Sequence, residues 1–138
     1  MRNTAVIDSG PLIALFDRDD HYHAAAAEFM RGYRGGLITT VAVLTEVTHL
    51  LDFSHRAQLD FLHWIGRGAV AIADISADDI LRIVELTERY ADIPMDFADA
   101  SLVCICERLQ LRDVVSIDND FTIYRTGRHQ AFCNLFPR

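Results

Sequence analysis

Five acidic residues dispersed along the chain, Asp8, Glu46, Asp96, Asp99 and Asp118, are the side chains whose type and setting could do chemistry. Mg2+ and Mn2+ are hard cations that prefer oxygen ligands and retain several waters, so a catalytic site for them needs a few carboxylates around an open face. Each acid also has an ordinary alternative. Asp8 ends an apolar run and is followed by Ser9-Gly10-Pro11, where a turn or helix cap would use its oxygens. Glu46 stands at helical spacing with Val43 and Leu50 and beside Val47, on or against an apolar stripe. A carboxylate there needs a compensating cation or hydrogen bonds, so metal ligation and an arginine salt bridge both remain open. Asp96 and Asp99 lie three apart at the start of an apolar segment, where Asp96 can be the helix N-cap and Asp99 can fill the third position, which the helix dipole favours for a negative charge; the cap is the preferred reading for Asp96 and ligation for Asp99. Asp118 closes a second apolar run, and Asp120 is placed to cap the turn that follows.

The elements that must bring these acids together follow from apolar periodicity and from turn residues. Residues 4–8, 37–40, 69–73 and 114–118 read as short buried strands, and 132–136 as a further edge strand. Between them, residues 12–17 and 21–33 have helical character, the latter closing at Arg34-Gly35-Gly36. Residues 41–53 and 56–67 form a helical hairpin broken by Ser54-His55. Ser76-x-x-Asp79 resembles a capping box opening a helix to about Tyr90, and Ile93-Pro94-Met95 separates it from a buried helix over 96–109. Strands alternating with helices of this length predict parallel pairing and right-handed crossovers. The expected fold is a three-layer α/β/α sandwich with a central parallel sheet of four or five strands, in one domain spanning 1–138. Ligands of such sheets bind at the carboxyl ends of the strands, where Asp8 and Asp118 are expected.

The chain has 138 residues, 51% of them hydrophobic and 24% charged, enough for one continuous core. Its start carries no signal-like segment and no apolar run is long enough for a membrane span, so a cytoplasmic protein without membrane attachment is expected. The net charge of −7 argues against a constitutive nucleic-acid binder, but the five acids named above account for five of those charges. All 13 basic residues are arginines. The lack of lysine excludes sites that require an ammonium, such as a P-loop or a Schiff base. Cys104, Cys106 and Cys133 are an odd set without a second pair of soft ligands, and read as buried, reduced thiols rather than a zinc site. His21-x-His23 points to two helix faces and makes a poor metal pair; His49 and His63 read as surface or packing residues and His55 as part of a turn. Among Phe53, Phe61, Leu62, Trp64 and Ile65, core packing is the expectation for most, with Trp64 the one to test for a partner or dimer surface.

Taken in order, several segments resemble a PIN-domain ribonuclease of the VapC toxin type. They are Asp8-Ser9, Val43-x-x-Glu46-Val47, Asp96-Phe97-Ala98-Asp99-Ala100 and Ser116-Ile117-Asp118-Asn119-Asp120-Phe121, which together cover almost the whole chain. The resemblance implies a site of four acids, Asp8, Glu46, Asp99 and Asp118, with Asp96 and Asp120 as further candidates and Ser9 and Asn119 as their neighbours. It implies Mg2+ or Mn2+, hydrolysis of RNA by metal-activated water with no nucleophilic side chain, a cognate antitoxin that blocks the pocket, and a homodimer. Ser116 stands where many members have threonine, and the acidic net charge departs from an RNA-binding surface. Two rival readings are a phosphatase of the haloacid dehalogenase type, with Asp8 as nucleophile, and a PIN-like binding module without activity. The first lacks the second aspartate it needs, Gly10 standing in that place, and the second leaves the four acids unexplained.

Overall fold

The computed structural model describes residues 3–93 and 95–137; Pro94, expected to separate two helices, lies outside them, as do the first two residues and the last. The apolar runs form five strands: β1 (Thr4–Ile7), β2 (Gly36–Thr40), β3 (Ala71–Ala73), β4 (Asp113–Val115) and β5 (Cys133–Asn134). They make one sheet in the order β3-β2-β1-β4-β5, with every neighbouring pair parallel. The helices are α1 (Ser9–Phe16), α2 (His23–Gly32), α3 (Val41–Leu50), α4 (His55–Gly66), α5 (Ala77–Arg89) and α6 (Phe97–Leu109). From β1 to β3 the chain steps one way across the sheet, and from β3 to β4 it steps back over β2 and β1. Right-handed crossovers therefore put α1–α4 and α5–α6 on opposite faces. The three-layer parallel architecture expected from the alternation is the one found.

The direction of travel reverses between β1 and β4, the place where open parallel sheets leave a crevice at their carboxyl edge. α6 crosses beneath it, and its residues from 98 to 106 are all buried, so it is a central helix as its composition foretold. Cross-ties hold α6 and the strands in register: Thr39 Oγ1 donates to the Ile7 carbonyl at 2.9 Å, and the Thr40 and Ser101 hydroxyls pair at 2.8 Å. Among the described residues every buried side-chain nitrogen or oxygen has a hydrogen-bond partner.

Several boundaries differ from the expectation for physical reasons. Ser9-Gly10-Pro11 is not a turn but the first turn of α1, with Asp8 as N-cap. Proline is tolerated there because the first four helical N–H groups have no intrahelical partner to lose. β4 ends at Val115, so Asp118 lies in the loop beyond the strand and does not extend it. The cause is Asn134, whose side-chain amide takes over the pairing of Ser116: Oδ1 accepts from Ser116 N–H at 3.1 Å and Nδ2 donates to Ser116 C=O at 2.8 Å. β5 is correspondingly only two residues long. His55 opens α4, with Ser54 as its cap, rather than lying in the turn. Phe61 and Ile65 are buried and Trp64 is half-buried against Phe16, whereas Phe53, in the corner after α3, and Leu62, on α4 beside the buried Phe61, are exposed. Cys104 and Cys106 are buried free thiols, but Cys133 is exposed on the edge strand. The box at Ser76 forms as expected, the Asp79 carboxylate accepting from Ser76 N–H at 2.8 Å.

Candidate active site

The turn between β1 and α1 gives Asp8 its position. Its Oδ1 accepts from Ser9 N–H at 2.8 Å, so the capping role is real, while Oδ2 accepts from the Ser116 hydroxyl at 3.2 Å across the β1/β4 boundary. The residue is only 3% exposed. Gly10 allows the loop after β4 to close on this turn: a Cβ there would stand 3.3 Å from the Ile117 side chain, a tight approach. Ser9 is turned the other way, and its hydroxyl donates to Glu46 Oε1 on α3. Glu46 is half-buried, and the compensation its position demanded comes from this hydroxyl; no arginine bridge to it is present among the described residues.

At the head of α6, Asp96 is the N-cap, its Oδ1 accepting from Asp99 N–H at 2.8 Å, and its side chain is exposed. Asp99 is buried and points inward, where Oδ2 accepts from the Tyr124 hydroxyl at 3.2 Å. Asp118 and Asn119 are exposed in the loop after β4, and Asp120 begins a short 3-10 turn, Asp120–Thr122. Asn119 precedes that turn, and its carbonyl accepts from the Thr122 hydroxyl at 2.5 Å.

Electrostatics ties these residues into one cluster. Burial pushes the Asp8 carboxyl up to about 7, and the charges of Asp118 and Glu46 add to the effect against the hydrogen bonds from Ser9 and Ser116. Burial pushes Asp99 up to about 8, assisted by Asp8, Asp96 and Asp120 and opposed by the Tyr124 hydroxyl. Tyr124 is itself moved well above the usual phenol range, first by burial and then by Asp99. Asp8 thus feels Asp118 and Glu46, and Asp99 feels Asp8, so the four acids act on one another although they come from four separate segments. Among the described residues no three Asp, Glu, His or Cys side chains are placed to hold a metal ion together.

Two contributors were missed by sequence reasoning. Tyr124 is fully buried with its hydroxyl on Asp99, and Asn134 fixes the backbone from which Ser116 reaches Asp8. Tyr124 follows Asp120 by four residues, one turn past the acidic loop, which was the available signal for it. His49 and His63 are exposed, within the surface or packing roles expected, whereas His23, expected to cap or lie at the surface, is half-buried with Nδ1 2.8 Å from the Ala14 carbonyl.

Comparison with known proteins bears on the same set. The chain is 27% identical to Ribonuclease VapC26 of Mycobacterium tuberculosis over 115 residues, covering 82% of this chain and 85% of that protein. The crystal structure of Mycobacterium tuberculosis VapC20, titled a sarcin-ricin loop cleaving toxin, superposes with a TM-score of 0.80 at 21% identity, over 86% of this chain and 93% of that one. VapBC2 from Rickettsia felis, bound to a DNA fragment from its promoter, matches with a TM-score of 0.64 at 12% identity, over 95% of this chain and 98% of that one. A toxin–antitoxin complex from Klebsiella pneumoniae matches with a TM-score of 0.62 at 19% identity, over 83% and 87%. The PIN domain family model matches residues 5–127, a span that includes all four acids and the switch point between β1 and β4. This chain belongs to the PIN domain family.

Proposed function

We propose that the chain is a divalent-metal-dependent endoribonuclease, the toxin of a toxin–antitoxin pair, acting as one nuclease domain over residues 1–138. The observation that carries the reading is the pair of buried acids, Asp8 and Asp99, whose carboxyls are pushed to about 7 and about 8 beside Asp118 and Glu46. Like-charged oxygens gathered in a crevice favour either protons or a cation, and an all-oxygen donor set fits Mg2+ or Mn2+. Asp8, Glu46, Asp99 and Asp118 are the proposed ligands and catalytic residues, with Asp120 close by and Asp96 acting as the helix cap. When bound, the cation supplies positive charge against the negative charge that builds on a phosphodiester, and acidity for water.

The protein's own part is positioning. The Ser116 and Tyr124 hydroxyls hold one oxygen each of Asp8 and Asp99, leaving their orientation fixed before substrate arrives. Ser9 does the same for Glu46. No nucleophilic side chain is required, and membership of the PIN family takes away the ground for a phosphatase using Asp8 as nucleophile.

The name of the relative VapC26 supports RNA as substrate, and the VapBC2 and Klebsiella complexes support a cognate antitoxin partner. Leu50, Phe53, Leu59 and Leu62, exposed along α3 and α4, give a protein partner apolar surface, and a homodimer is proposed alongside the antitoxin. Among the described residues no helix is long and apolar enough to cross a membrane, and we place the protein in the cytoplasm with its RNA. The test is incubation of purified protein with structured and single-stranded RNA, with and without Mg2+ or Mn2+, beside Asp8→Ala and Asp99→Asn. Metal-dependent cleavage lost in both variants is expected; undiminished cleavage in the variants, or none by the wild type in any condition, overturns the reading.

A further inference from the structure

β2 ends in two buried threonines, Thr39 and Thr40, and the hydroxyl of each is spent on another element. The parallel register of β1 with β2 runs from Thr4 and Gly36 to Val6 and Ile38. Thr39 carries the connection one residue further, its hydroxyl donating to the carbonyl of Ile7, the residue before Asp8, at 2.9 Å. Thr40 has a separate task. It caps α3, its Oγ1 accepting from Val43 N–H at 3.4 Å, and it meets the Ser101 hydroxyl at 2.8 Å. Ser101 is also buried and gives its one proton to the Ala98 carbonyl at 2.7 Å, so Thr40 donates to Ser101. Ala98 and Ser101 flank Asp99 near the start of α6, and Glu46 lies on the second turn of the helix that Thr40 caps.

Asp8, Glu46 and Asp99 come from the end of a strand, from α3 and from α6, and their charges repel one another. That repulsion pushes apart the elements that carry them. Neutral hydroxyl bonds in a dry interior resist it, and a fully satisfied chain of them both strengthens itself by polarisation and fixes one arrangement of the packed elements. We propose that the Thr39-Thr40 pair, with Ser101, is the positioning hub of the metal site, setting the spacing of Asp8, Glu46 and Asp99 before a cation arrives. The proposal rests on the metal-dependent ribonuclease reading above. Being buried, the three hydroxyls reach neither cation nor RNA and act through the acids alone.

The experiment reads Mn2+ binding to the protein without RNA, by electron paramagnetic resonance of the free ion, and beside it the half-saturating Mn2+ for RNA cleavage. Wild type is compared with Thr39→Val, Thr40→Val, Thr40→Ser, Ser101→Ala and the Thr40→Val, Ser101→Ala double variant. Ser54→Ala is the control, since it removes the cap of α4, a helix that carries none of the acids, and lowers stability away from the hub. Ser101→Ala keeps its helix, alanine being the better helix former. Both Mn2+ readings are expected to weaken about tenfold or more in Thr39→Val, Thr40→Val and Ser101→Ala, the usual cost of losing a group that orients metal ligands. The double variant is expected to be little worse than either single one, because both lose the same bond. Thr40→Ser and Ser54→Ala are expected to match the wild type. Unchanged Mn2+ readings in Thr39→Val or Ser101→Ala, additive losses in the double variant, or Thr40→Ser as weak as Thr40→Val overturn the hub and leave the nuclease reading standing. So does a loss in Ser54→Ala that follows its melting temperature as the other variants follow theirs. A wild type that cuts RNA in no condition, or cuts it without metal, removes the nuclease reading and the hub with it.

Discussion

Asp8 and Asp99 are acids that folding makes harder to ionise, and the sign of that shift has a measurable consequence. Their folded-state values, about 7 and about 8, lie above the ordinary 3.8, so between these limits the folded chain holds more protons than the unfolded one. Their contribution to stability is therefore intact in acid and is lost as pH rises through about 7 to 8. A cation that replaces the protons restores it. Without metal, the wild type should lose melting temperature between about pH 5 and about pH 8.5 more steeply than the Asp8→Asn, Asp99→Asn double variant, and Mn2+ should raise the wild-type value more at the upper pH than at the lower. Calorimetry with and without Mn2+ checks this; a metal-induced rise as large at the lower pH would contradict it. At this scale the sequence was informative where the chemistry is local. Asp96 could be read as a cap because its partner, the Asp99 amide, is three residues away. Tyr124 could not be tied to Asp99 because the two lie 25 positions apart with a strand between them.

The head of α6 carries two aspartates with different tasks, and substitution should separate them. Asp96→Ala removes a cap and is expected to cost about 1 kcal/mol of stability. It also removes one of the charges that raise the Asp99 carboxyl, so the acid limb of any pH–rate profile should move to lower pH with cleavage retained. Asp99→Asn should abolish cleavage with little change in stability. Urea unfolding and a pH–rate series distinguish the two, and equal loss of activity in both variants would make Asp96 a ligand after all. Element identity was readable from apolar period and composition, which is why the six α-helices and five strands found among the described residues fall near their expected places. Element ends were less readable. Proline at the third position of α1 looks like a turn residue until Asp8 is seen capping the helix. The end of β4 is set by the Asn134 side chain, a partner 18 residues away that no local pattern announces.

Across the whole molecule, the strand–helix alternation was enough for the parallel three-layer architecture, because crossover handedness leaves few other arrangements. The meeting of Asp8 with Ser116 was not legible, since 108 residues separate them and only the strand order β1-β4 makes them neighbours. That order places the candidate site against the thin side of the sheet. β5 is an edge strand of two residues, and the amide clamp of Asn134 on Ser116 belongs to it. Short edges with few buried contacts open at a lower free energy than central elements. When β5 peels away, Ser116 loses both backbone partners, and the hydroxyl holding Asp8 goes with them, while β1, β2 and α6 remain packed. In rising urea, RNA cleavage should therefore fail at a lower concentration than the helical signal, and the amide of Ser116 should exchange its hydrogen faster than those of Val6 and Ile7. Coincident midpoints would show that the edge and the core unfold as one unit. The clamp makes the site a gauge of the weakest margin of the fold: the protein can be silenced by a fluctuation at its rim long before it denatures.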